Sequence, residues 1–490
     1  MNVIPSPADY KNVVVVGGSF AGVAAVNGLK GRLPQSHRVV LIEPRSTFHF
    51  AFAFPRAAVL SGFEDSLFIP YDRLFASPED GLVLRCKAVQ VAPDYVVVDR
   101  PVQLGRTEPT TVVPFKYLIY AAGATHPSPT SLSDTGTKQD SVRELKDWQD
   151  KIQHARSILV VGGGGSGVEL AAEIADKYGA AKKVTLAHSR DKYFGLYGGE
   201  LDRVLTNVLG RLGVQQIKGE RVVVPSGGFP KDGVARQVKT TSGSEIVSDL
   251  QILCTGLTPN TSALRQHFPH ILNASGFIPT LATSQIHSPS HPHIFAVGDV
   301  TNHPHKTAKE GMRQAGIAAE NILAMARREA KGRAPPTADE LEQGVAMGAK
   351  IHLTMGHTAD VFARIDEAGR AEASERPYRA KGGENLGAGR IWRRLGHRDS
   401  ESTQGRFGFL GLGGWGGWRG GRRGEGEGEG EGSDRERRGG RRHRGHHGHH
   451  GRHHDHHRGH EHNHGGHHGH AHDHGHPYGG RGMHVPSAMA

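Results

Sequence analysis

Cysteine is nearly absent: the 490 residues hold 2, Cys86 and Cys254, far apart and in no CxxC spacing. That scarcity excludes a disulfide scaffold, a thiolate zinc module and a dithiol redox centre. Long apolar runs are missing too, none approaching the roughly 18 residues that a membrane-spanning helix requires. Met1 to Tyr10 shows no basic segment followed by an apolar one, and Asn2 stands where myristoylation needs glycine. A cytoplasmic protein is expected. Ahead of residue 399 there is also no catalytic triad and no metal-ligand signature, so no metal site is expected there.

Apolar residues are scarce in one region only. Residues 399–490 contain 13 hydrophobic residues, yet hold 27 of the 68 glycines and 19 of the 34 histidines. Such a stretch cannot bury enough apolar surface to offset the entropy of ordering it, and disorder is expected. It carries 13 Arg and 11 acids, a net of +2, which leaves +9 of the formal +11 on the first 398 residues. Those 398 residues are long enough for two or three domains.

What is present is a repeat. Asn12–Val26 reads NVVVVGGSFAGVAAV and Ser157–Ala171 reads SILVVGGGGSGVELA, 145 residues on. Each is a β-branched strand running into glycines and then a helix. The GxGxxG spacing supplies a tight turn, a close backbone approach to phosphate and a helix packed on its strand. A pyrophosphate then sits on the helix N-terminus. The second cluster keeps all three glycines, Gly162, Gly164 and Gly167. The first has Gly17, Gly18 and Gly22, with Ser19 at the middle position, where its hydroxyl could reach a phosphate oxygen.

The next strand adds weight. Glu43 lies 26 residues after Gly17, and His188 lies 26 residues after Gly162. A carboxylate there binds ribose hydroxyls and suits an unphosphorylated dinucleotide. His188, followed by Ser189 and Arg190, would tolerate or prefer a 2′-phosphate, so NADPH is admissible beside NADH. Two later glycine turns, at Gly123 and Gly256, let the chain cross beneath a dinucleotide from one domain to the next.

With these motifs in order, VVGGSFAG, VVGGGGSGVELAAEI, VTLAHS, LCTGLTPN, HIFAVGDV and KTAKEGMRQAGIAAENI, the chain resembles the two-dinucleotide flavoproteins of the pyridine nucleotide-disulfide oxidoreductase fold. Within them it resembles the AMID, or apoptosis-inducing-factor-like, ferroptosis-suppressor type, with type II NADH:quinone oxidoreductases as cousins. The resemblance implies an α/β fold with two Rossmann-like domains, a small C-terminal α+β region and the disordered tail. It places FAD on Gly17, Gly18, Gly22 and Glu43, and NADH or NADPH on Gly162, Gly164, Gly167 and Glu169. It implies that Asp299, with Gly298, holds the ribityl chain; a helix N-cap or turn aspartate is the plain alternative. Lys306 would open the helix that faces the flavin. Phe48 and His49 match a stretch beside the isoalloxazine, although His49 equally suits a structural role. Glu169, read in the first turn of its helix, approaches the nicotinamide amide or simply compensates the helix dipole.

The family chemistry is hydride transfer from nicotinamide to flavin, which asks the protein for stacking and water exclusion rather than a nucleophile. Disulfide reductases of this fold pass electrons to a CxxxxC pair, and Phe20–Arg32 contains no cysteine. The electrons then need another acceptor, and the resemblance implies a quinone, with dioxygen or a dye as the fallback. The resemblance leaves peripheral membrane contact open, but residues beyond Phe362 depart from the family pattern and show no apolar surface, which counts against it. The rival reading is a dinucleotide-bound redox sensor acting through nucleic-acid or protein binding. Nucleic acid is not the expected partner, because a basic core gives only salt-sensitive, nonspecific attraction. The His-rich tail could hold divalent metal weakly. The expected organisation is an FAD domain over 10–125 and 285–330, an inserted NAD(P)H domain over 126–284, a C-terminal interface region over 331–398, and the tail over 399–490.

Overall fold

The first strand contains four consecutive valines, whose β-branched side chains favour an extended backbone. This strand, β1 (Lys11–Val16), is buried at every position but its first. A parallel strand covered on both faces requires such a run. It leads into α1 (Phe20–Leu29), β2 (His37–Ile42), β3 (Gly81–Leu84) and β4 (Tyr117–Tyr120). The chain then forms α2 (Lys138–His154), β5 (Ser157–Val161), α3 (Gly165–Tyr178), β6 (Lys183–His188), α4 (Glu200–Arg211), β7 (Gln215–Lys218) and β8 (Leu250–Leu253). It ends in β9 (Ile294–Ala296), α5 (Ala308–Ala330), β10 (Lys350–Met355), β11 (Ala359–Ile365), β12 (Ala371–Pro377) and α6 (Gly389–Arg394). The computed structural model describes residues 10–398 except 106, 107, 134, 135, 346, 347, 367 and 380–382. The 399–490 stretch, with its expected disorder and weak metal binding, lies outside the described residues.

Two parallel sheets result, the α/β architecture that the repeat predicts. The first runs β9-β4-β1-β2-β3 and the second β7-β6-β5-β8. Every pairing in both is parallel. In the first, β3 and β4 are joined by an antiparallel three-stranded meander built from Ala88–Val91, Tyr95–Val102 and Thr110–Pro114. α1 packs on α5 so closely that a Cβ on Gly28 would stand 2.8 Å from the Ala319 Cβ. Full burial of each β1 valine contributes about 1.5–3 kcal/mol.

The chain leaves the first sheet after β4 and returns beside it. Ala124–Thr125 pairs antiparallel with Thr258–Pro259. Ala263, Leu264, Phe268, Ile271, Ile278 and Ile286 then pack in one core with Val14, Val40 and Leu118 of the first sheet. We therefore place the return of the chain to the first unit near Thr258 rather than at 285. The apolar positions after Asn260 have lost their second-sheet neighbours and found those of the first.

The C-terminal region divides its packing. The antiparallel sheet β10-β11-β12 buries Leu353, Met355, Val361 and Ala363 in the core of the second unit. α6 instead places Ile391, Trp392 and Leu395 in the core of the first, and the Trp392 indole N–H donates to the Ser66 carbonyl at 2.9 Å.

Candidate functional site: two dinucleotide cradles

At the end of β1 the backbone turns through Gly17, whose φ of +99° L side chains rarely adopt. A Cβ there would sit 2.4 Å from the Ala121 carbonyl oxygen, and one on Gly22 would sit 1.7 Å from the Gly17 carbonyl oxygen. Turn, neighbouring strand and helix thus close on one another without room for a methyl. Ser19 is the extended N-cap of α1, and its hydroxyl makes no capping bond. The first N–H groups of α1 therefore keep their capacity for an anion. Glu43, 1% exposed, accepts from the Gly18 N–H at 2.6 Å, and from the Arg45 N–H and Nε at 3.0 and 2.9 Å. Tyr71 donates its hydroxyl to the Gly18 carbonyl at 2.7 Å.

The second cradle repeats this construction. Gly162 has φ +118°, its Cβ would meet the Cys254 carbonyl oxygen at 2.6 Å, and one on Gly167 would meet the Gly162 carbonyl oxygen at 1.9 Å. Gly164 caps α3 in an extended conformation, and a Cβ there would meet nothing within 4 Å. Where Glu43 accepts from Gly18, His188 accepts through Nδ1 from the Gly163 N–H at 3.1 Å. That bond leaves the ring proton on Nε2 and turns a carboxylate position into a donor. Burial lowers the His188 pKa, which keeps the ring neutral. Its ring stacks on Tyr193 at 5.5 Å. Ser189 and Arg190 are exposed, and Arg190 forms no ion pair among the described residues.

The later turns are joined. Gly123 and Gly256 have φ +66° and +87°, with nothing within 4 Å of a Cβ at either. Asn260, just beyond the second crossing, ties them, donating its backbone N–H to Gly123 at 3.1 Å and its side-chain amide to Ala122 at 2.9 Å. Gly298 (φ +80°) packs against the start of α1, a Cβ there standing 3.1 Å from the Ala21 Cβ. Next to it, the Asp299 carboxylate takes no hydrogen bond from the described residues, and burial raises its pKa against the opposing charges of Lys306 and His126. Asp299 lies inside a short 3-10 turn capped by Val297, so of the two plain alternatives it is a turn aspartate and not an N-cap.

Three expectations shift. Lys306 does not open α5, because Thr307 is its N-cap. The lysine folds back, donating to the Asp299 carbonyl at 3.1 Å and to the Thr301 carbonyl. His49 is 5% exposed, edge-on to Phe68 at 5.0 Å, with Nδ1 sealed from solvent and unpartnered. Burial drives its pKa down to about 2, so it is a neutral core residue. Glu169 lies in the second turn of α3, because Gly164 stays extended before the helix begins at Gly165. Dipole compensation, confined to the first turn, loses its basis there. Sequence reasoning missed Arg45 and Tyr193, which lie two and five residues from Glu43 and His188, and Tyr71, Arg56 and Glu173, whose partners lie 53 and 117 residues away at separations that no motif spacing encodes.

Both cradles fit dinucleotides. Each offers uncapped helix N–H groups and glycines that bring backbone to the surface, and the unpartnered Asp299 carboxylate awaits hydroxyl donors beside the first. Cys86 and Cys254 are both free, and burial pushes each thiol up to about 12, so neither is a thiolate nucleophile.

The pyridine nucleotide-disulphide oxidoreductase family matches residues 11–320, and the chain belongs to it. Within that family its relatives are of the apoptosis-inducing-factor-like, ferroptosis-suppressor group. It is 31% identical over 368 residues to Fe-regulated protein 8 of Mycosarcoma maydis, covering 70% of this chain and 89% of that protein. It is 32% identical over 323 residues to ferroptosis suppressor protein 1 of Homo sapiens, covering 64% and 80%. Among solved structures, the sulfide:quinone oxidoreductase of Aquifex aeolicus shares the fold, with TM-score 0.58, 19% identity and coverage of 78% of this chain and 90% of that one. The chain is thus a flavin-dependent NAD(P)H oxidoreductase by family. No helix among the described residues is long and apolar enough to cross a membrane.

Proposed function

We propose that the chain carries electrons from NAD(P)H, bound at Gly162, Gly164 and Gly167, through FAD, bound at Gly17, Gly18, Ser19 and Gly22, to a quinone. Bound flavin supplies the chemistry: it takes hydride from the nicotinamide and gives electrons to the acceptor. The protein binds and orients. The observation that carries the reading is the doubled cradle in a chain without a dithiol, which leaves a non-disulfide acceptor. Glu43 would hold the adenosine ribose of FAD, Asp299 its ribityl hydroxyls, and Glu169 the nicotinamide carboxamide.

The quinone assignment draws support from a cavity of about 450 Å³ walled by Phe20, Val23, Phe48, Met312, Ile391 and Arg394. Ala24, Asn27 and Gly28 complete the lining, in which Asn27 and Arg394 carry the polar side chains, and the rest suits a largely apolar ring. The relatives named for quinone chemistry and ferroptosis suppression agree with that choice. For the donor, His188 and Arg190 favour acceptance of a 2′-phosphate, and we place NADPH beside NADH.

Anaerobic titration tests this. Purified protein should be yellow, bleach with NADPH or NADH and recolour with a short-chain quinone. Colourless protein that cannot be reconstituted with FAD would overturn it.

A further inference from the structure

Three acids occupy one face of α3 at i, i+4 and i+7: Glu169, Glu173 and Asp176. Each holds the hairpin that joins β10 to β11. Glu169 Oε1 accepts from the Thr354 N–H at 2.9 Å and from the Thr354 hydroxyl at 3.3 Å. Asp176 accepts from the His357 N–H at 2.9 Å and the Thr358 hydroxyl at 2.6 Å. Glu173, 2% exposed, reaches the hairpin through Arg56, 1% exposed. Arg56 Nε donates to Glu173 at 2.8 Å, Nη2 to the Gly356 carbonyl at 2.8 Å and Nη1 to the Tyr378 hydroxyl at 2.5 Å.

Charge is unevenly shared in this cluster. Arg56 is its one fully buried cation, and it is committed to Glu173, with Glu384 at 3.8 Å behind it. His357 lies toward solvent between Asp176 at 3.4 Å and Glu384 at 3.0 Å. Glu169 alone has no cation of its own, and its Oε2 takes no hydrogen bond from the described residues. Burial pushes its carboxyl up to about 8, Glu173 adding to the rise while Thr354 and Arg56 oppose it. Two acids a helical turn apart in a low dielectric resist joint ionisation.

We propose that Glu173 and Arg56 are positioning residues for Glu169: their buried ion pair decides whether Oε2 meets the nicotinamide carboxamide as a hydrogen-bond donor or only as an acceptor. The inference rests on reading the start of α3 as the nicotinamide site. A neutral acid donates to the amide oxygen, whereas a carboxylate can only accept from the amide nitrogen. Binding of a neutral dihydronicotinamide ring then favours the protonated acid, and above its titration point complex formation draws a proton from solvent.

The test uses the flavin-loaded protein and tetrahydronicotinamide adenine dinucleotide, a neutral-ring analogue that cannot give up hydride, titrated calorimetrically from about pH 6 to about pH 9. Wild-type affinity should fall about tenfold per pH unit once Glu169 ionises, and Glu169→Gln should be flat. Glu173→Gln should move the onset of the fall down by roughly one pH unit, since it removes a negative neighbour and frees the charge of Arg56. Asp176→Asn, which loosens the same hairpin, should titrate as wild type. An unmoved onset in Glu173→Gln, or an unchanged slope in Glu169→Gln, overturns the proposal. In buffers of different ionisation enthalpy near pH 8.5, about one proton should enter with the analogue in wild type and none in Glu169→Gln, a count that does not depend on how Glu173→Gln folds. Wild-type protein that binds no analogue at any pH would remove the nicotinamide-site reading itself.

Discussion

Glu43 and His188 end equivalent strands and accept from equivalent backbone groups, the N–H of Gly18 and of Gly163. One side chain is an anion and the other a neutral donor, so the cradles differ in the charge they present to an adenosine ribose. His188→Glu should set a carboxylate against a 2′-phosphate. We expect NADPH to lose at least about tenfold in kcat/KM for flavin reduction while NADH changes little, as stopped-flow traces would show. Arg190→Ala should move the same ratio in the same direction but less. His49 bears on stability. Its folded pKa of about 2 lies below the ordinary value of 6.5, so as pH falls below about 6.5 the unfolded chain takes up a proton that the folded chain refuses. Stability is lost on acidification down to about pH 2. His37, lowered to about 4 by burial, adds a narrower loss between about 6.5 and 4. Thermal melts at pH 7 and pH 5 should show a smaller acid-induced drop in Tm for His49→Phe than for wild type. The sequence offered STFHF as a flavin neighbour with a structural role as the alternative, and the burial of His49 is what makes it neutral in either role.

The third glycine of each cradle is where helix meets turn. Gly22→Ala and Gly167→Ala each drive a methyl into a backbone carbonyl, at 1.7 and 1.9 Å, which no rotamer relieves. Each should cost on the order of 3 kcal/mol locally. The first should lose flavin during purification; the second should keep flavin and lose nucleotide-driven bleaching, and absorbance spectra separate the two. What the sequence revealed at this scale was local: strand, glycines, helix and the 26-residue spacing to Glu43 and His188. The sequence pointed to Glu169 alone of the three acids on α3, and Arg56 and Thr354 were not legible as partners of that face. Those contacts span 117 and 185 residues, and nothing in local periodicity encodes them. The start of α3 was misjudged for the reverse reason. Glycine spacing says that a turn exists, and the extended φ and ψ of Gly164 decide where it ends.

Across the molecule, the C-terminal residues finish both cores. His397 donates through Nε2 to the Pro70 carbonyl at 3.1 Å, and a Cβ on Gly396 would stand 2.2 Å from the Arg73 carbonyl oxygen. A chain ended after Arg398 retains these contacts and should keep the flavin-to-protein ratio of the full chain, measured by absorbance; ending it after Pro377 removes α6 and should release flavin. The pairing of Ala124–Thr125 with Thr258–Pro259 has a consequence for the order in which the protein is made. β4 needs β9 as its neighbour, Leu118 facing Ile294, yet β9 leaves the ribosome only after the whole inserted unit. Once that unit has folded, the paired crossings hold its two ends side by side, and closing the outer sheet no longer requires a long search. Assembly therefore runs from the inside outward: the parallel sheet of the nucleotide unit, made second, is already paired while the flavin unit, begun first, still lacks its edge.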